Sequence, residues 1–141
     1  MALTSTNIGR IDEIRAKQEI YYRSGATLDV RTRRASLVAF EKAVLKWEKP
    51  LCEALWKDLH KSYEESYIAE VSILLGEIRT HIRNVGKWTR PQRRPTPMKL
   101  FPSRSKIISE PLGTALIISP WNYPVQLLLT PLVGVISSGC T

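Results

Sequence analysis

The chain has 141 residues, the size of one ordinary domain, with 43% hydrophobic and 24% charged residues, which excludes disorder for the bulk of it. No window reaches the roughly 18 uninterrupted apolar residues of a membrane helix, and "MALTSTNIGR" lacks the apolar segment of a secretory signal. The formal net charge is +8, but residues 111–141 hold no Asp, Glu, Lys or Arg, so that stretch is expected to lie inside something larger than itself.

Residues 10–24 place Ile11, Ile14 and Tyr21 on one helical face, and Ser24-Gly25 ends the helix. From Arg31 to Lys49, Leu37, Phe40, Val44 and Trp47 recur at three- and four-residue steps, as in an amphipathic helix. Pro50 cannot continue that helix without losing a backbone hydrogen bond, and it suits the first turn of a new one, Leu51 to His60, with Leu51, Leu55 and Leu59 aligned. Ser62 and Glu65 have the spacing of a capping box. The helix they open carries Val71, Leu74, Leu75, Ile78, Ile82, Val85 and Trp88 and runs to about Thr89.

The character then changes. Pro91, Pro95 and Pro97 force an extended connection, and Lys87 to Lys106 holds seven basic residues (Lys87, Arg90, Arg93, Arg94, Lys99, Arg104, Lys106) with no acidic one. "MKLF" and "SRSKIIS", turning at Pro102-Ser103, predict a β-hairpin. "TALIIS" is a fully apolar strand of the parallel-sheet kind. After Pro124, "VQLLLTPLVGVISSG" is a buried helix ending at Gly139. One strand and one helix begin an α/β unit without completing it.

Carried by these residues, "EPLGTALIISPWNYPVQLLLTPLVGVISSGCT" resembles the start of the cofactor domain in the aldehyde dehydrogenase superfamily. "PWNYP" and the upstream "LLGEIRTHIRNVGKWTRPQRRPTP" are similar to the class 3, fatty and medium-chain type. The fold class this implies is α/β: N-terminal helices (residues 1–96), a hairpin excursion (97–110) reaching toward a partner subunit, and a truncated Rossmann-like NAD(P)-binding domain (111–141). The implied activity is NAD- or NADP-dependent oxidation of an aldehyde to a carboxylic acid through a thiohemiacetal on a cysteine, by a homodimer. The family's cysteine nucleophile and glutamate base have no counterpart here, so the chain alone is expected to be an inactive N-terminal part. A G-x-G-x-x-G fingerprint is absent from the sequence, and the family does not depend on one.

The resemblance assigns oxyanion stabilisation to Asn122, the nicotinamide-ribose region to Ile118, Ser119, Pro120 and Trp121, and the aldehyde channel to Tyr123. An amide N–H aimed at a developing alkoxide is a strong catalytic device. Pro120 and Pro124 restrict the backbone on either side of it. Read without the family, an asparagine after a strand is a turn or N-cap residue, and its aromatic neighbours are packing.

Other chemistry-bearing residues read blandly. His60 and His81 have no partner cluster and read as surface helix residues. Cys52 lies near an apolar face and reads as packed. Cys140, in the turn where the family usually has a small polar residue, is rejected as the nucleophile. Two cysteines are too few for a disulfide framework or a zinc site, no metal is expected, and a reduced, cytoplasmic setting follows. The competing reading is a basic helical interaction domain binding nucleic acid or an anionic membrane surface through the segment around Trp88 and Phe101; no nucleic-acid motif accompanies that charge, and a small-molecule aldehyde is the expected partner.

Overall fold

A computed structural model describes residues 8–141. Most of the stretch inspected for a secretory signal lies outside that range. Helix α1 spans Ile8–Arg23, α2 Val30–Leu59, α3 Tyr63–Ser66, α4 Ser72–Trp88 and α5 Pro124–Ser138. A π-helical turn, Tyr67–Val71, joins α3 to α4, so residues 63–88 form one helical rod with a widened turn near its start. Two short strands, β1 (Gln92–Arg94) and β2 (Ser105–Ile107), pair antiparallel with Arg93 opposite Lys106.

The core lies where α2, α4 and α5 meet. Leu37, Val44 and Cys52 from α2 close on Leu74, Leu75, Ile78 and Val85 from α4, and Val133 enters from α5. These residues recur at three-, four-, seven- and eight-residue steps, which keeps each set on one face. Asp29 caps α2 by accepting from the Arg31 amide at 2.9 Å, and Ser62 caps α3 by accepting from the Glu65 amide at 3.1 Å.

Several expectations need correction. Pro50 does not divide two helices but lies inside α2. The lost hydrogen bond is tolerated because the helix is held on both sides of it, by Leu37 and Val44 before and by Cys52 and Leu55 after, all buried. The faces read for the first two helices are only partly used: Ile11, Ile14, Tyr21 and Trp47 are exposed. Helix α1 is tethered instead by polar ties, with the Tyr22 hydroxyl donating to the Pro111 carbonyl at 2.8 Å and the Thr141 hydroxyl to the Gln18 carbonyl at 3.1 Å. The hairpin exists, but its first strand is "QRR", within the proline-flanked connection, and Met98–Leu100 is a 3-10 turn rather than a strand. Pro95 and Pro97 flank the strand end without interrupting it, and the Thr96 hydroxyl, accepting from the Ser105 amide at 2.9 Å, closes the ladder.

"TALIIS" forms no regular strand among the described residues. Among those residues it is paired at one point. The Ala115 amide donates to the Thr141 carbonyl at 2.7 Å, and the Thr141 amide donates to the Gly113 carbonyl at 3.1 Å. That alternation is the parallel-ladder pattern, with α5 as the crossover between the two segments. Gly139, left-handed at φ 85°, ends α5 and turns the chain back for this pairing. Leu112, Leu116, Ile118 and Trp121 are at least 85% exposed.

Candidate functional site

The stretch 119–126 is shaped by two residues distant in sequence. Helix α5 opens with Pro124, whose missing N–H is no loss at a first helical position. The following amides, Val125 and Gln126, need acceptors. Neither Asn122 nor the N-cap residue Tyr123 provides a side-chain cap. The acceptor is Glu70: its Oε2 receives the Val125 N–H at 2.8 Å and the Gln126 N–H at 3.2 Å. A carboxylate there also complements the positive end of the α5 dipole.

Glu70 is fully buried, and its charge is met by Lys61. The Lys61 Nζ donates to Glu70 Oε1 at 2.7 Å and to the Asn122 carbonyl at 2.8 Å, and it lies 3.8 Å above the centre of the Tyr123 ring. Its side chain is 9% exposed. Burying two charges is unfavourable unless they are paired and their remaining sites are hydrogen-bonded, and both conditions hold here.

Local structure aims each partner. Lys61 follows His60, a left-handed C-cap at φ 54° that turns the chain sharply out of α2. Glu70 sits in the π-helical turn, which shifts the phase of the helix so that the carboxylate reaches the start of α5. The Ser66 hydroxyl, also buried, has no hydrogen-bond partner among the described residues.

Asn122 therefore has its backbone held while its carboxamide is exposed and makes no hydrogen bond among the described residues. Tyr123 is half-exposed under the Lys61 ammonium. Ile118 and Trp121 are largely exposed, Pro120 is exposed, and the Ser119 hydroxyl donates to the Pro120 carbonyl at 2.9 Å. These six residues are consecutive in the chain, directly after "TALI" and before α5.

The other titratable groups lie apart from this turn. Cys52 is buried in the core, and burial pushes its thiol upward. At Cys140 burial also pushes upward, but hydrogen bonds from Ser138 and from the Gly113 and Leu112 backbone, with the Arg33 charge, leave the thiol below its ordinary value. His60 is a C-cap with its ring edge-on to Trp56. His81 is more enclosed than a surface reading implies: it contacts Glu77 at 3.0 Å, packs edge-on to Trp88 and lines a cavity of about 290 Å³ with Arg33 and Ser137. No cluster of His, Cys, Asp and Glu suited to a metal occurs among the described residues.

Sequence reading missed Lys61 and Glu70. The available signal was the row Glu70, Leu74, Ile78, in which one carboxylate shares a four-residue spacing with two buried apolar residues. Such a position requires a partner.

Residues 6–141 match the aldehyde dehydrogenase family. The chain is 39% identical over 121 residues to 4,4'-diaponeurosporen-aldehyde dehydrogenase of Staphylococcus aureus, covering 86% of this chain and 26% of that protein. It is 37% identical over 128 residues to human aldehyde dehydrogenase family 3 member B1 (91% and 27%) and 36% identical over 120 residues to Arabidopsis thaliana family 3 member F1 (85% and 25%). A solved structure of S. aureus AldH in a substrate-bound state superposes with a TM-score of 0.91 at 37% identity, over 96% of this chain and 29% of that one. The chain thus spans about a quarter of the length of these relatives. With this sequence similarity and the shared fold, the chain belongs to the aldehyde dehydrogenase family, on its class 3 side.

Proposed function

We propose that this chain contributes the oxyanion donor and part of the cofactor wall to an NAD(P)-dependent oxidation of an aldehyde to a carboxylic acid. The observation that carries the reading is the state of Asn122: its main chain is fixed by Lys61 while its carboxamide makes no hydrogen bond among the described residues. A donor held in place and not consumed locally suits an oxygen that becomes negative during reaction.

The chemistry follows from that donor. A cysteine thiolate, which we place outside these 141 residues, adds through sulfur to the aldehyde carbon. The carbonyl π electrons move to oxygen, and the Asn122 N–H stabilises the resulting alkoxide. Ile118, Ser119, Pro120 and Trp121 hold the nicotinamide-ribose part of the dinucleotide, which supplies the two-electron acceptor when bound. Tyr123 borders the aldehyde channel, and the indole of Trp121 limits water. The basic hairpin, 92–107, faces a second subunit of a homodimer, and the protein works in the cytoplasm.

The test is a graft of residues 6–141 in place of the matching segment of S. aureus AldH. The grafted enzyme should reduce NAD or NADP in the presence of aldehyde, and Asn122→Ala should lower kcat by about 10²–10³. An Asn122→Ala graft as fast as its parent contradicts the assignment.

A further inference from the structure

We propose that Lys61 and Glu70 are positioning residues for Asn122: together they clamp the backbone around it and take up the helix-capping task, which leaves its carboxamide free to act. This deepens the proposed function and rests on it for the meaning of Asn122, although the clamp itself is a matter of geometry.

The contacts divide cleanly around residue 122. On its own carbonyl, Lys61 donates at 2.8 Å. One residue on, the Tyr123 ring lies under the same ammonium at 3.8 Å. Two and three residues beyond Tyr123, Glu70 holds the Val125 and Gln126 amides. Both Glu70 oxygens are engaged, one by Lys61 and one by the helix, so the carboxylate cannot rotate without breaking a hydrogen bond. An asparagine before a helix is drawn to cap it. Here the amides it would seek are already satisfied by Glu70, and its carbonyl is already satisfied by Lys61. The carboxamide is thus excluded from local service while its Cα is fixed at a single place.

The pair also links the site to the rigid part of the fold. Lys61 follows the αL end of α2, and Glu70 is in the π-helical turn that leads into α4, the two helices that make most of the core. The oxyanion turn is thereby referenced to the core rather than to its own exposed surroundings. A displacement of about 1 Å at such a group is enough to slow a reaction by about a hundredfold.

The test has two arms. In the 141-residue chain labelled with nitrogen-15, the Val125 and Gln126 amides should exchange slowly with solvent. Glu70→Gln keeps the shape and should speed that exchange about tenfold, since a charged acceptor binds an amide roughly twice as strongly as a neutral one. Lys61→Met should increase fast backbone motion at residues 121–123, and Lys61→Arg, which retains a donor and a cation, should restore order. In the grafted enzyme, Lys61→Met should lower kcat by about ten- to a hundredfold with the dinucleotide KM within about threefold, and Lys61→Arg should recover most of the loss. A pair that serves only the fold would change the amount of active enzyme and leave no selective fall in kcat rescued by arginine. Unchanged exchange and motion in the variants overturn the clamp. If the clamp loosens but kcat per active site is unchanged, while Asn122→Ala is slow, the positioning role is overturned and the oxyanion reading stands. If Asn122→Ala is itself without effect, the oxyanion reading fails and takes the positioning role with it, and the exchange arm still decides the clamp.

Discussion

Replacing Lys61 by Met removes the partner of a carboxylate that has no access to water. The methionine fills most of the space of the lysine stem, so the loss is mainly electrostatic. It takes away the 2.7 Å bond to Glu70, the 2.8 Å bond to the Asn122 carbonyl and the cation over Tyr123. Removing one partner of a buried pair costs about 3–5 kcal/mol because the remaining charge is uncompensated. Glu70, fully buried, belongs at that level. With a urea dependence of about 2 kcal/mol per molar, the midpoint should fall by about 2 M. The double variant Lys61→Met/Glu70→Gln removes the stranded charge and keeps an acceptor for the Val125 amide, so it should be more stable than Lys61→Met alone. Urea unfolding followed by tryptophan fluorescence and by circular dichroism measures all four corners of that cycle. A Lys61→Met cost below about 1 kcal/mol, or a double variant as unstable as the sum of the singles, would refute the buried-pair argument.

Other expectations concern single residues. Gly139→Ala should destabilise by about 1–3 kcal/mol in the same unfolding assay, because φ is 85° there and an added Cβ would meet the Arg33 guanidinium at 2.6 Å; a neutral result would mean that Arg33 yields freely. The Tyr63 phenol, donating to Glu48 at 2.6 Å, is pushed up to about 12, chiefly by that bond. As a raised acid group, it contributes stability that is fully present below its ordinary value of 10.0 and is lost as pH rises through about 12. Absorbance at the phenolate band should show its step above those of the other tyrosines, and Tyr63→Phe should abolish that step. Iodoacetamide should label Cys140 before Cys52, since the first thiol is lowered and half-buried while the second is raised and buried; mass spectrometry of the modified peptides reads the order.

The ends of α5 were legible from local chemistry, whereas the faces read for the first two helices were only partly used. Pro124 and Gly139 bound α5 as expected from the first-turn preference of proline and the left-handed freedom of glycine. Pro50 misled because the penalty of proline in a helix is local, whereas the packing that offsets it comes from α4 and α5. The first hairpin strand was misplaced by one short segment, since "QRR" has no apolar alternation to mark it and its pairing depends on β2. "TALIIS" has the composition of a parallel strand, but composition cannot say with what it pairs, and a single bridge around Thr114 is all the described residues provide.

Residues 118–123 were singled out through resemblance to a family. Their support was not. Lys61 and Glu70 are nine residues apart, and Glu70 lies within a π-helical turn that no periodicity announces. An ordinary α-helix through 63–71 would place Glu70 at a different angle. The extra residue in that turn is what brings a carboxylate from a core helix to the first amides of another.

The proposed role of the Asn122 carboxamide is measured most directly by kcat of the grafted enzyme with and without it. A fall of about 10²–10³ in Asn122→Ala, with the dinucleotide KM nearly constant, is the predicted result. A variant that turns over aldehyde within about twofold of its parent would contradict it, since that factor corresponds to under 1 kcal/mol at the transition state.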